Sequence, residues 1–114
     1  MRQEGKIQEA CVTWFRYNHY KYVDLLFHVP NGGYRTKRTA ALMKREGVVA
    51  GVADLLLLVP NNTAHGLCVE VKTAKGRQTE RQKLWQQAVI AQGYEYHVVR
   101  SLDEFIAVVD GYLS

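Results

Sequence analysis

The stretch from Gly51 to Lys72 constrains this chain most: Gly-Val-Ala-Asp, then Leu-Leu-Leu-Leu-Val, a polar turn Pro-Asn-Asn-Thr-Ala-His-Gly, and Leu-Cys-Val-Glu-Val-Lys. Each apolar run is too short to stand alone as a helix and is bounded by Gly, Pro or Asn, so the pattern predicts two strands joined by a turn. With Val59 facing Leu67, Asp54 lies opposite Lys72 and diagonal to Glu70. Side chains alternate along a strand, so Glu70 and Lys72 share one face while Val69 and Val71 join Leu55 and Leu57 in the core. A one-residue slip would turn Asp54 to the other face.

Two carboxylates and an ammonium thus converge. Ionising neighbouring carboxylates is costly, and a divalent cation is the usual offset. Oxygen ligands without a supporting Cys or His pair suit Mg2+ or Mn2+ rather than zinc. The same residues also fit a cross-strand salt bridge, worth at most about 1 kcal/mol when exposed. The apolar residues around Asp54, Glu70 and Lys72 favour the cation, because they bury the strands and leave only these polar groups to explain.

At 114 residues the chain suits a single domain over 1–114. Its net charge of +4 is compatible with a polyanionic partner but does not establish one. Cys11 and Cys68 sit in apolar settings without C-x-x-C spacing, which predicts reduced core thiols and a cytoplasmic location. No signal peptide is read at the start, and the longest apolar run, Leu55 to Val59, is far short of a membrane span.

Ile7, Ala10, Cys11, Trp14 and Phe15 recur at helical spacing, which predicts an amphipathic helix from Gln3 to Tyr17. Glu4 and Gln8 flank its apolar stripe; Glu4 also suits the first turn simply as a negative charge. Tyr17, Tyr20 and Tyr22 either stack on bases or cover the core, and core cover is the expectation. Leu25 to Val29 reads as a strand stopped by Pro30 and the Asn31-Gly32-Gly33 turn. Arg35, Lys37, Arg38, Lys44 and Arg45 gather around a short helix, Thr36 to Glu46, ended by Gly47. Such a run is usually a solvated face. Directly before the acidic hairpin, Arg35, Lys37 and Arg38 also suit contact with a DNA backbone. Lys75 and Arg77 add cations in the loop after Lys72.

Thr79 and Gln82 form a capping box opening a helix to about Gln92, ended by Gly93, with Leu84, Trp85, Ala88, Val89 and Ala91 on its buried side. Tyr94 to Arg100 reads as a strand. Ser101 and Glu104 form a second capping box before a core helix carrying Phe105, Ile106 and Val109. His28 and His97 look isolated among apolar neighbours and support no His-based site.

Asp54, then Glu70-Val71-Lys72 after a hairpin turn, resembles the PD-(D/E)XK nuclease signature. The surroundings are similar to its VRR-NUC branch, particularly small stand-alone members of phages and bacteria. The resemblance extends to Glu4 with Ile7-Gln8, Pro30-Asn31-Gly32-Gly33, Gly51-Val52-Ala53, Gln82 with Trp85, and Val98-Val99-Arg100. Ala53 stands where the signature has its proline. The resemblance implies a restriction-endonuclease-like α/β fold, a mixed sheet flanked by helices, which the order of predicted elements matches. It implies that Asp54, Glu70 and the Val71 carbonyl hold Mg2+ or Mn2+, that Glu4 approaches the metal, with Glu9 as competitor, and that Lys72 orients water. Asn31 is then a substrate contact, and Gln82 either caps its helix or reaches the active centre.

The implied activity is metal-dependent hydrolysis of DNA phosphodiesters. The stand-alone members resemble Holliday-junction resolvases acting as homodimers, and two symmetric cuts do require two sites. Flap or other branched DNA is the second substrate reading, and linear duplex the third. A non-catalytic DNA-binding module of the same fold, or a structural hairpin salt bridge, are the competing classes. The implied setting is a bacterial or phage-infected host cell.

Overall fold

The structure is a computed structural model, and it describes residues 2–30 and 36–114. Helix α1, Gln3–Asn18, forms because Ile7, Cys11, Trp14 and Phe15 fall on one stripe; Cys11 and Phe15 are fully buried by it. A 3-10 helix over Tyr20–Leu25, unforeseen from the sequence, leads into strand β1, Leu26–His28. Tyr17 at the end of α1 and Tyr20 at the start of the 3-10 helix face outward, 83% and 77% exposed, contrary to the expected core cover; of the three tyrosines only Tyr22 packs against the core.

Helix α2, Lys37–Arg45, begins where the Thr36 hydroxyl accepts from Thr39 N–H and ends before Gly47, whose φ is +104°. Strands β2, Leu55–Leu57, and β3, Leu67–Val71, form the predicted hairpin. Helix α3, Glu80–Ala91, opens with the Thr79–Gln82 capping box, and β4, Glu95–Val99, follows. Helix α4, Leu102–Leu113, starts with Ser101 Oγ accepting from Glu104 N–H; the Glu104 carboxylate reaches back to Arg100 N–H rather than to Ser101.

The sheet runs β1-β2-β3-β4, with β1/β2 and β2/β3 antiparallel and β3/β4 parallel. A parallel neighbour requires a crossover, and α3 supplies it. One face packs Leu55, Leu57, Val69, Val71 and Val99 against α1 and α4 through Phe15, Phe105 and Val109. The opposite face packs Ala53, Cys68 and Tyr96 against Trp85 and Val89 of α3. Strand β3 is therefore buried on both sides along its whole length. Leu84, Ala88 and Ala91, expected on the buried side of α3, face outward instead.

The hairpin register differs from the expected one by two residues. Leu57 pairs with Leu67 and Leu55 with Val69, which brings Asp54 level with Glu70 rather than Lys72. The cause lies in the connection. Asn61 Oδ1 accepts from Thr63 and Ala64 N–H, its Nδ2 donates to Tyr112 O, and Tyr112 Oη donates to Val59 O at 2.6 Å. Val59 is thus held by α4 and cannot pair with Leu67. An even offset preserves the side-chain faces, so Asp54 stays beside Glu70.

Candidate active site

Asp54 leads into β2, and donors from His28, the last residue of β1, and from Val29 just after it hold its backbone. Its carbonyl accepts from Val29 N–H at 3.0 Å and from His28 Nδ1 at 2.8 Å, which requires a proton on Nδ1. Its side chain spans to β3, where Oδ2 accepts from Val71 N–H at 2.7 Å. Burial pushes the Asp54 carboxyl above its usual range. The Val71 N–H pulls it down, the charges of Glu70 and Glu4 raise it further, and His28 opposes them.

Glu70 is 1% exposed, because β3 is central and α3 covers this face. Its two oxygens are treated unequally. Oε1 accepts from Tyr96 Oη and, at 3.3 Å, from Gln78 Nε2. Oε2 has no hydrogen-bond partner among the described residues, and the Lys72 ammonium stands 3.6 Å away. Lys72 is itself 8% exposed, its N–H bonded to Val99 O. A buried carboxylate oxygen with only a loose cationic neighbour is costly unless something else satisfies it.

Asp54 opens onto a cleft of about 600 Å3 lined also by Arg2, Glu4, His28, Pro30, Gly51, Arg81 and Gln82. Helix α1 delivers Glu4, and Gly51 lets the Asp54 loop lie against the first turn of α3. At φ +85° its Cα is so close that a Cβ would sit 2.6 Å from Arg81 O. Gln82 lines the cleft while its Oε1 accepts from Thr79 N–H, so here it serves as the cap. Glu9 is exposed on another part of α1, beside Trp14 and Leu102.

Glu4, Asp54 and Glu70 do not close into a ready-made cage: among the described residues no three His, Cys, Asp or Glu side chains form a metal-sized group. Glu70 and Lys72 lie outside the cleft lining. The donor set nonetheless suits a hard cation, since all its atoms are oxygens and one of them is buried without a donor. Lys37 and Arg38 on α2, and Lys75 and Arg77 in the loop after β3, are exposed cations away from the lining. Asn31 and Arg35 lie outside the described residues.

Several site residues escaped sequence reasoning. His28, despite its apolar neighbours in sequence, lines the cleft, and His97 is paired with Glu95 at 2.7 Å. Arg2 and Arg81 are the cations on the cleft wall. Tyr96 carried a usable signal, because strand alternation sets it on the same face as Val98, and β3/β4 pairing levels it with Cys68, two residues from Glu70.

A helix-flanked mixed sheet bringing Asp54, Glu70 and Lys72 together beside an open cleft walled by both arginines and carboxylates has the form of a nuclease-type domain. The chain belongs to the VRR-NUC family, whose domain model matches residues 2–103. A solved structure described as a VRR_NUC domain protein is similar to it with a TM-score of 0.86 and 27% identity, over 99% of this chain and 89% of that one. Another, described as a VRR_NUC domain, has a TM-score of 0.64 and 19% identity over 98% and 99% of the two chains, a likeness of fold. No curated protein matches the chain. A nuclease family implies DNA as substrate. No helix among the described residues is long and apolar enough to cross a membrane.

Proposed function

We propose that this protein is a divalent-metal-dependent, structure-specific DNA endonuclease that resolves four-way (Holliday) junctions as a homodimer. The observation that carries the chemistry is the unsatisfied, buried Glu70 Oε2, with the Lys72 ammonium 3.6 Å away. Asp54, Glu70 and the Val71 carbonyl, with Glu4 from α1, are the groups that hold Mg2+ or Mn2+. Such an ion neutralises charge building on the phosphoryl oxygens and acidifies water. Lys72 orients the attacking water and balances charge at the phosphorus. Gln82, released from its cap, positions that water.

Arg2 and Arg81 hold the scissile backbone in the cleft, and Lys37, Arg38, Lys75 and Arg77, with Asn31 and Arg35, extend the contact along flanking phosphates. Support for a dimer comes from exposed apolar side chains beside α3: Leu58 and Leu84 are 53% and 56% exposed. Leu58 lines an apolar hollow of about 280 Å3 together with Leu56, Trp85, Val89 and Tyr94. Cys11 and Cys68 are both free and belong to opposite cores, which suits the proposed cytoplasmic location.

The test incubates purified protein with a four-way junction, a flap and a linear duplex, each with Mg2+, Mn2+ or EDTA. Junction cutting that needs the metal is expected; preferential flap cutting would move the substrate to branched repair intermediates. Asp54→Asn and Lys72→Ala should abolish cutting while folding and junction binding persist. Full activity in either variant refutes the site.

A further inference from the structure

The asymmetry at Glu70 raises a question that the acid-and-lysine set does not answer: what turns this carboxylate so that one oxygen faces donors and the other faces none? A glutamate side chain has free torsions, and a carboxylate that only had to be neutralised would direct an oxygen squarely at its lysine. Here Lys72 Nζ stands 3.6 Å from Oε2, while both hydrogen bonds fall on Oε1.

Those donors are themselves fixed. Tyr96 is 8% exposed on β4, wedged between Cys68 and Trp85, with its ring centroid 6.1 Å from that of the indole. Gln78 Nε2 donates also to Gln86 Oε1 at 2.7 Å, which sets the amide with its nitrogen towards Glu70. Tyr96 Oη is the donor in its bond to Glu70 Oε1.

We propose that Tyr96, assisted by Gln78, is a positioning residue for the cation site, saturating Glu70 Oε1 so that Oε2 is presented to a divalent ion. This rests on the reading of Asp54 and Glu70 as cation ligands. A hydrogen-bonded carboxylate is a pre-oriented ligand, and such outer partners typically govern metal affinity by about 10- to 100-fold. Nothing in the proposal requires Tyr96 to touch DNA or to transfer a proton.

The test measures Mn2+ affinity of the DNA-free protein by titration calorimetry and Mn2+ electron paramagnetic resonance, for the wild type, Tyr96→Phe, Gln78→Met and Asp54→Asn. Circular dichroism and melting in EDTA report folding separately. Tyr96→Phe should weaken Mn2+ binding by about 10-fold or more, and Gln78→Met by a smaller factor in the same direction. The Mn2+ concentration for half-maximal cleavage should rise by the same factor, and kcat should recover at saturating metal. A purely structural tyrosine would lower the melting temperature and leave the Mn2+ affinity alone. Unchanged affinity in folded Tyr96→Phe, or in Gln78→Met should the tyrosine variant not fold, overturns the proposal. If the wild type binds no Mn2+, or Asp54→Asn binds it equally well, the cation site itself fails and Tyr96 falls with it.

Discussion

Asp54 is held at some cost. Burial raises its pKa in the folded state, so ionising it is harder there than in the unfolded chain. The penalty is absent below the unfolded pKa and complete above the folded one, so metal-free stability should fall as pH rises through that window. Asp54→Asn keeps an acceptor for Val71 N–H and removes the charge. Its melting temperature in EDTA should exceed that of the wild type at neutral pH, with the gap closing in acid, as thermal melts across pH would show. The two thiols give a second expectation. Burial pushes Cys11 up to about 12 and Cys68 up to about 11, so neither presents thiolate near neutrality. An aromatic disulfide reagent should react with the folded protein only as fast as it opens, and promptly in denaturant. The shared face of Asp54, Glu70 and Lys72 is legible because strand alternation sets it; which of the two Asp54 stands level with is not, because that depends on the register. His28, Arg2 and Arg81 were not legible either, since no local period joins a strand end, a helix cap and a helix first turn.

Element packing turns on the approach of the Asp54 loop to α3. Gly51 and Gly47 both have positive φ, but a Cβ on Gly51 meets the Arg81 carbonyl whereas one on Gly47 meets nothing within 4 Å. Gly47→Ala should cost about 1 kcal/mol in urea melts, and Gly51→Ala distinctly more, because backbone must also move. Only the second should impair cleavage. Arg100 plays a comparable part after β3: its Nη1 donates to Thr73 O and Gly76 O, both at 2.7 Å, and so closes the loop that carries Lys75. Arg100→Ala should speed amide exchange across residues 73–76, measurable by mass spectrometry. The order of the elements was readable from capping boxes, periodicity and turn residues. The register was not, because Asn61 and Val59 are held by Tyr112, whose position depends on the packing of α4. The exposure of Leu84 was hidden for a similar reason: α3 meets the sheet through Trp85 and Val89, a narrower seam than its apolar content implied.

For the molecule as a whole, light scattering should report a dimer, and Leu84→Lys should shift it to monomer without changing Mn2+ affinity. An unaltered mass would remove α3 from the interface. Layers on both sides of the sheet grip β3, and Glu70 projects from that strand into the second core, whereas the cleft-wall cations Arg2 and Arg81 sit on a helix cap and a helix first turn, and the outlying ones ride on a surface helix and a loop. Retuning such a scaffold for another nucleic-acid shape is therefore a task for its periphery. There charges can be exchanged singly, while a replacement at Glu70 itself taxes folding and chemistry together.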